Sequence, residues 1–456
     1  MRSASWRARD RRVLWHPFTQ QKAWMEEDFP VIARARGSYL VDADGRRYLD
    51  GVSSLWCNVH GHRKREMDAA IAAQLRKVAH ATFLGCSNPP AIELAEKLVA
   101  IAPKGLTRVF YSDDGSTAVE VALKMALQFW RQSGAPGKTR FLVLTEGYHG
   151  DTVGAMSLGG IDLYLDRFRP LLFETIHAPT TYAYRCKRAA TLDECGRHCL
   201  QDIEAILEAR AGEIAGIVVE PVIQGAGGMI VQPPGFLAGL RARCDKYGVL
   251  LVADEVMTGF GRTGRMFACE HEGVTPDLMA VSKGITGGYL PLAATLATER
   301  IYGAFLGERA ERKTFFHGHT YTGNPLACAA ALASLRLFEK EKVLERLRPK
   351  VHFMGNAFQD FYEIPQVGDI RCCGLVAGLE LVKDPDAREP YPFEMAMGHR
   401  VTLEARKRGA ILRPLGDVVV LMPPLSISMT ELTKLLAITL ESIRAAVGNP
   451  ARAPSV

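Results

Sequence analysis

The chain has 456 residues, 48% of them hydrophobic, and a formal net charge of +6, enough to bury a large core beside a smaller one and too apolar for wholesale disorder. So mild a charge admits an anionic cofactor or substrate and makes no case for nucleic acid. Ten cysteines are too sparse for a disulfide scaffold and point to a reducing cytoplasm.

The arginine-rich start, Arg2 to Arg12, reads as a solvated, partly ordered terminus in preference to a nucleic-acid arm. It lacks the apolar centre of a signal peptide, and no run of about 18 apolar residues offers a membrane span. Trp15-His16-Pro17-Phe18-Thr19-Gln20 is aromatic and proline-marked, which predicts an extended course. Val31–Ala35 and Ser38–Val41 read as strands meeting at Gly37, followed by a turn at Asp42-Ala43-Asp44-Gly45. Asp50 to Asn58 is a loop of small and aromatic residues. Helical periodicity covers Arg65–Val78 and Pro90–Ile101.

Arg108–Ser112 reads as a strand that runs into Asp113-Asp114-Gly115-Ser116-Thr117 and a helix over Ala118–Arg131, with Asp114 or Ser116 as its cap. Strands at Arg140–Leu144, Ile214–Glu220, Val249–Ala253 and Leu278–Val281 alternate with helices at Leu200–Ala211 and Phe236–Tyr247. This alternation predicts an α/β fold with a mainly parallel central sheet and helices on both faces. Beyond the alanine-rich helix Pro325–Glu339, a helix at Leu344–Tyr362, antiparallel strands in Gly368–Leu381, a helix at Pro392–Arg408, strands at Ile411–Arg413 and Val418–Met422, and a helix at Thr430–Val447 predict a smaller α+β domain. The expected organisation is an N-terminal segment, residues 1–60, packing on the small domain and the active site; a large domain, residues 61–335; and a small domain, residues 336–456.

Two strands of the large domain end on chemistry. Val249–Ala253 stops on Asp254-Glu255, and Leu278–Val281 stops on Ser282-Lys283 before Gly284-Ile285-Thr286-Gly287-Gly288. Ligands of parallel sheets bind at the carboxyl ends of the strands. A carboxylate for a basic ring nitrogen and an amine for an aldehyde point to pyridoxal phosphate (PLP). A lone lysine or aspartate is ordinarily half of a surface ion pair, a reading that weakens when both stand at strand ends beside glycines. Gly115-Ser116-Thr117 opens a helix and would attract a phosphate, although taken alone a simple capped helix is the better reading. Tyr148, between glycines in Gly147-Tyr148-His149-Gly150-Asp151, can stack on a flat ring or merely pack.

Gly259-Phe260-Gly261-Arg262-Thr263-Gly264 matches the spacing of a dinucleotide fingerprint. It is rejected because Asp254-Glu255 would repel a pyrophosphate and no helix opens on these glycines. His317 to Asn324 offers a second phosphate contact. Arg413, on an apolar strand, calls for an anionic partner, equally a substrate carboxylate or an internal acid. Cys186, Cys195 and Cys199 with His198 lack zinc-ribbon spacing, and adjacent Cys372-Cys373 cannot easily share one tetrahedral site with them; the cluster reads as structural or redox-inert thiols.

Asp254-Glu255-Val256, Gly259 to Gly264, Lys283, Gly287-Gly288 and Thr320 together resemble the class III PLP-dependent aminotransferases over nearly the whole chain. The resemblance implies the PLP-dependent transferase fold type I and a homodimer with shared active sites. Gly115 and Ser116 would hold the phosphate, with Thr320 reaching in from the partner subunit. Tyr148 would stack on the ring, Asp254 would hold its nitrogen, and Lys283 would take the aldehyde. Asp151 and Glu220 would be supporting acids.

Trp15-His16-Pro17, Asp50 to Ser54, Gly225 to Met229 and Arg413 to Gly416 resemble the members that aminate 8-amino-7-oxononanoate (KAPA) to 7,8-diaminononanoate in biotin synthesis. Arg413 would then take the KAPA carboxylate, in a substrate pocket that includes Phe18, Trp56 and Gly318. Many such members have tyrosine where this chain has Phe18 and a Trp-Trp pair where it has Leu55-Trp56. The usual amino donor is S-adenosylmethionine; the Phe and Leu-Trp pattern resembles lysine users. A related reading is another class III enzyme, such as an ω-amino acid:pyruvate aminotransferase.

Overall fold

The computed structural model describes residues 3–448. Its central sheet has seven strands, ordered from one edge Leu106–Ser112, Ala293–Thr298, Leu278–Val281, Leu250–Asp254, Ile214–Val219, Arg140–Leu144 and Ile176–Ala178. The pairs from Leu278–Val281 onward are parallel, while Ala293–Thr298 runs antiparallel to both its neighbours.

These strands are buried on both faces, which explains their unbroken apolar sequences. Leu142, Leu144, Leu251 and Ala253 point into one core, shared with the helices Leu192–Arg210 and Phe236–Tyr247. Phe141, Val143, Leu250 and Val252 point into the other, under the helix Gly115–Gln132. Each fully buried leucine there contributes about 1.5–3 kcal/mol relative to exposure. The register sets Asp254 beside Ala280 and Ala253 beside Val219, so Asp254, Glu220 and Lys283 leave the sheet along one edge.

The C-terminal part carries an antiparallel sheet ordered Val367–Cys372, Ala377–Leu381, Val418–Leu421 and Arg413–Leu415. The helices Met397–Lys407 and Met429–Val447 pack together beside it. A further sheet ties the two ends of the chain: Ile32–Arg36, Tyr39–Asp42 and Arg47–Asp50 are joined in parallel by Ala410–Ile411, with Ile411 opposite Asp50. That register swings the loop after Asp50 over the edge of the central sheet.

Several elements depart from their sequence reading. The arginine-rich start is a helix, Ser3–Val13, and its arginines are engaged: Arg7 Nε donates to the Phe29 carbonyl at 2.7 Å and Arg11 to that of Glu27 at 2.8 Å. Arg2 lies outside the described residues. The helix expected from Leu200 begins at Leu192, capped by Thr191. Its early buried positions are Cys195 and Cys199, residues that carry little helical signal. Ile411–Arg413 is not one strand: Ala410–Ile411 pairs with the N-terminal sheet and Arg413–Leu415 with Val418–Leu421. Among the described residues no helix is long and apolar enough to cross a membrane.

Candidate active site

A cavity of about 500 Å³ opens at the carboxyl ends of the parallel strands, lined by Asp254, Glu220, Lys283, Gly115, Ser116, Tyr148 and Trp56 among others. Asp254 ends its strand 4% exposed. A carboxylate so buried needs partners, and it has two. Its Oδ2 lies 2.7 Å from His149 Nδ1, and its Oδ1 accepts from the Val256 N–H at 3.1 Å. Each oxygen retains a lone pair for a further donor.

Burial alone would discharge His149, but the Asp254 hydrogen bond and charge, with Glu220 beyond, outweigh it and raise its pKa. Glu220 is equally enclosed. Its two oxygens accept from the N–H groups of Tyr148 at 3.1 Å and Gly225 at 2.7 Å, and burial still pushes its pKa up to about 7.

Lys283 follows its strand by two residues, in a short turn entered through left-handed backbone with φ 41°. Ser282 holds that turn by donating to the Leu292 carbonyl at 3.0 Å. Burial lowers the Lys283 pKa against the pull of Asp254, Glu220 and Cys57, which favours the neutral, nucleophilic amine. Its Nζ sits 5.2 Å from the centre of the Trp56 ring.

The opposite wall is the start of the helix Gly115–Gln132. Asp114 caps it, accepting from the Thr117 N–H at 2.9 Å, which leaves Ser116 free for the cavity. Ser116 Oγ accepts from the Asp151 N–H at 3.2 Å. A β-carbon at Gly115 would stand 2.5 Å from Val256 Cγ1, and one at Gly150 would stand 2.0 Å from Ser116 Oγ. Both glycines are therefore required for the walls to approach so closely around a group rich in acceptors.

Trp56 arrives by an unusual route. Ser53, Ser54, Leu55 and Trp56 have φ of 50°, 56°, 115° and 68°, four consecutive residues in a region that L side chains avoid. Each costs on the order of 1–3 kcal/mol and persists only when its surroundings enforce it. Here Ser53 Oγ donates to the Met422 carbonyl at 2.7 Å, while the Ser54 N–H and hydroxyl both bind the Asp50 carboxylate at 2.8 Å. The result is an indole buried in the cavity wall whose Nε1 has no hydrogen-bond partner.

Toward solvent, Tyr148 meets Tyr164 edge-on at 6.2 Å, and Tyr164 meets Phe18 edge-on at 5.4 Å. The Arg413 guanidinium lies 5.9 Å from the Phe18 ring centre. Among the described residues that guanidinium has no ion pair or hydrogen bond, so the internal acid that could have explained it is absent. Asp151 is exposed and interacts with the Tyr148 hydroxyl, which burial and that acid together raise above its usual pKa. Gly318 and Thr320 are exposed, outside the cavity of their own chain. His149 and Tyr164 had no role assigned from sequence. His149 stands inside the glycine turn already singled out, whereas nothing local marks Tyr164.

The rejected dinucleotide motif has a structural role. Arg262, 2% exposed, donates to the Pro423 carbonyl at 2.8 Å, to Ser53 Oγ at 3.2 Å and to the Asn58 carbonyl at 3.4 Å, joining the C-terminal part and the N-terminal loop to the large sheet. Cys195 and Cys199 are core residues, and burial pushes the Cys199 thiol up to about 11. No group of three or more His, Cys, Asp or Glu among the described residues is arranged to hold a metal.

A lysine, a carboxylate and a glycine-walled helix start around one cavity match a known family. The class III aminotransferase family matches residues 21–443. This chain belongs to the class III aminotransferases. It is 55% identical over 440 residues to the adenosylmethionine-8-amino-7-oxononanoate aminotransferase of Geobacter sulfurreducens, covering 96% of this chain and 97% of that one. The structure of the corresponding enzyme from Methanocaldococcus jannaschii superposes with a TM-score of 0.92 at 45% identity, covering 97% of this chain and 99% of that one. An amine transaminase from an uncultivated Pseudomonas species, solved in its PLP-bound form, gives a TM-score of 0.90 at 39% identity, covering 96% and 98%.

The class III fold is thus a type I PLP-transferase fold, with one mixed, mainly parallel sheet at its centre. The residues present fit that cofactor. Asp254 keeps a free lone pair for a ring N–H, Lys283 offers a buried amine whose pKa is lowered, and Gly115 and Ser116 offer a close helix start to a phosphate. When bound, PLP supplies an aldehyde that captures amines and a ring that accepts electrons.

Proposed function

We propose that this chain is a PLP-dependent aminotransferase that converts KAPA to 7,8-diaminononanoate in biotin synthesis. The observation that carries the choice of acceptor is Arg413. An arginine over the Phe18 ring, with no acid partner among the described residues, is built for an anion on the ligand, and KAPA carries a carboxylate at the far end of an alkyl chain from its ketone. The relatives named for this reaction, at about half identity over nearly full length, support the same reading.

Each residue then has a task. Gly115 and Ser116 bind the cofactor phosphate, and Tyr148 packs on the ring face. Asp254 holds the proton on the ring nitrogen, while His149 fixes the orientation of that carboxylate. Lys283 Nζ would take the proton from the amine-bearing carbon of the donor and would return one to the substrate carbon. Trp56 covers the reacting end with its ring. The enzyme works as a homodimer in the cytoplasm, with Thr320 and Gly318 of each subunit completing the other's site. Their exposure in the single chain and the ten free cysteines support these two points.

The amino donor is S-adenosylmethionine, with lysine the alternative that Phe18 and Leu55-Trp56 single out. Incubating the holoenzyme with KAPA and each donor, and detecting diaminononanoate by mass spectrometry, tests the reading. Product with one donor is expected; no product with either would overturn it.

A further inference from the structure

We propose that Tyr164 is a positioning residue for the carboxylate-bearing end of the substrate, and that its ring sets the preference for carboxylate-terminated chains. The proposal rests on the KAPA reading above and adds a residue to it. Tyr164 does not line the cavity; it stands behind Tyr148, which does. One edge of the ring meets Tyr148 at 6.2 Å and an interplanar angle of 84°. Another meets Phe18 at 5.4 Å and 73°. Phe18 is 57% exposed, and the aromatic ring packed against it is that of Tyr164. The Phe18 ring in turn lies under the Arg413 guanidinium. Tyr164 is thus the link between the wall of the reacting centre and the platform beneath the unpaired cation.

The turn that carries Tyr164 is itself braced. Asp162–Leu165 is a single helical turn, and Arg169 ties both of its flanking acids, Asp162 at 2.6 Å and Asp166 at 3.0 Å. Leu165 is buried beneath it. The phenol also feels the Arg413 cation and the Asp151 anion, so the ring stands within the field of the groups at the mouth. Tyr164, set edge-on between Tyr148 and Phe18, thus positions the ring on which the guanidinium awaits the anionic end of an alkyl chain. The guanidinium gives nothing to a chain of equal length that ends in a methyl group.

The test compares holoenzyme carrying Tyr164→Leu, which keeps apolar bulk without the ring, with Tyr164→Phe, which keeps the ring. Both are assayed with KAPA and with its analogue bearing a terminal methyl in place of the carboxylate. Edge-on ring contacts of this kind predict that Tyr164→Leu loses about tenfold of the kcat/KM preference for KAPA, through KM and with kcat retained. Tyr164→Phe should keep the wild-type preference. The proposal is overturned if Tyr164→Leu keeps the preference, or if Tyr164→Phe loses as much of it. Failure of the KAPA reading itself would appear separately, as wild-type enzyme that makes no diaminononanoate.

Discussion

His149 Nδ1 and Asp254 Oδ2 are 2.7 Å apart, and both side chains are almost fully buried. The imidazole holds one oxygen of the acid proposed for the cofactor ring nitrogen, and it spreads that acid's charge over a buried pair. A charge-assisted hydrogen bond of this kind contributes about 1.5–3 kcal/mol. His149→Ala is therefore expected to weaken cofactor binding by about tenfold or more, read by fluorescence titration of the apoprotein with PLP. Unchanged affinity would show that Asp254 is oriented without its neighbour.

In the proposed function Lys283 is the amine that would hold the cofactor aldehyde. Lys283→Ala should yield a folded protein whose added PLP shows no absorbance band of the lysine-bound form near the visible edge. A band that persists would assign the covalent link to another amine.

Gly150 sets the distance between the turn after Tyr148 and the helix start. It has φ 129°, and a β-carbon there would meet Ser116 Oγ at 2.0 Å. Gly150→Ala should displace Ser116 and weaken PLP binding, with a smaller loss for pyridoxal lacking the phosphate. Equal losses for the two ligands would mean that Ser116 does not face the phosphate.

Glu220 makes a pH prediction for the apoprotein. Its pKa rises from an ordinary 4.5 to about 7 on folding, so between those values the folded state holds more protons than the unfolded one. Stability must then fall as pH rises through this window, by on the order of 3 kcal/mol at most from this group. His149, also raised, contributes with the same sign. Melting temperatures of wild type should decline from about pH 5 to about pH 8, and Glu220→Gln should flatten the decline. Parallel curves would place the titration elsewhere.

Arg262 makes a stability prediction. It is fully buried against two carbonyls and a hydroxyl, without a carboxylate, and burial lowers its pKa to about 10. Arg262→Lys cannot span the three acceptors with one ammonium and should cost about 1–3 kcal/mol in denaturant unfolding. A variant as stable as wild type would show that the three segments are held by packing alone.

The legible parts of the site were those that backbone position announces. Lys283 and Asp254 follow apolar runs that only buried strands produce, and Gly115 opens a helix right after another strand. His149 was in view beside Tyr148, but its partner lies 105 positions away in sequence, and pairing at that range leaves no local trace. The left-handed course of Ser53–Trp56 was hidden for a related reason. Serine, leucine and tryptophan carry no turn preference of that hand, and the conformation is imposed by Asp50 and Met422. The strand Ala293–Thr298 was missed because its alanines and threonines lack a strong apolar pattern; burial between two neighbours decides it. Arg413 announced an anion, and only the fold shows that no acid among the described residues supplies it.

In the proposed function this cavity takes the KAPA ketone in preference to a small keto acid. Enzyme first converted to its amino-loaded form, then stripped of donor, should transfer that amino group to KAPA in a single turnover with one equivalent of diaminononanoate formed. Pyruvate under the same conditions should react far more slowly. Rapid conversion of pyruvate to alanine with no diaminononanoate from KAPA would contradict the account.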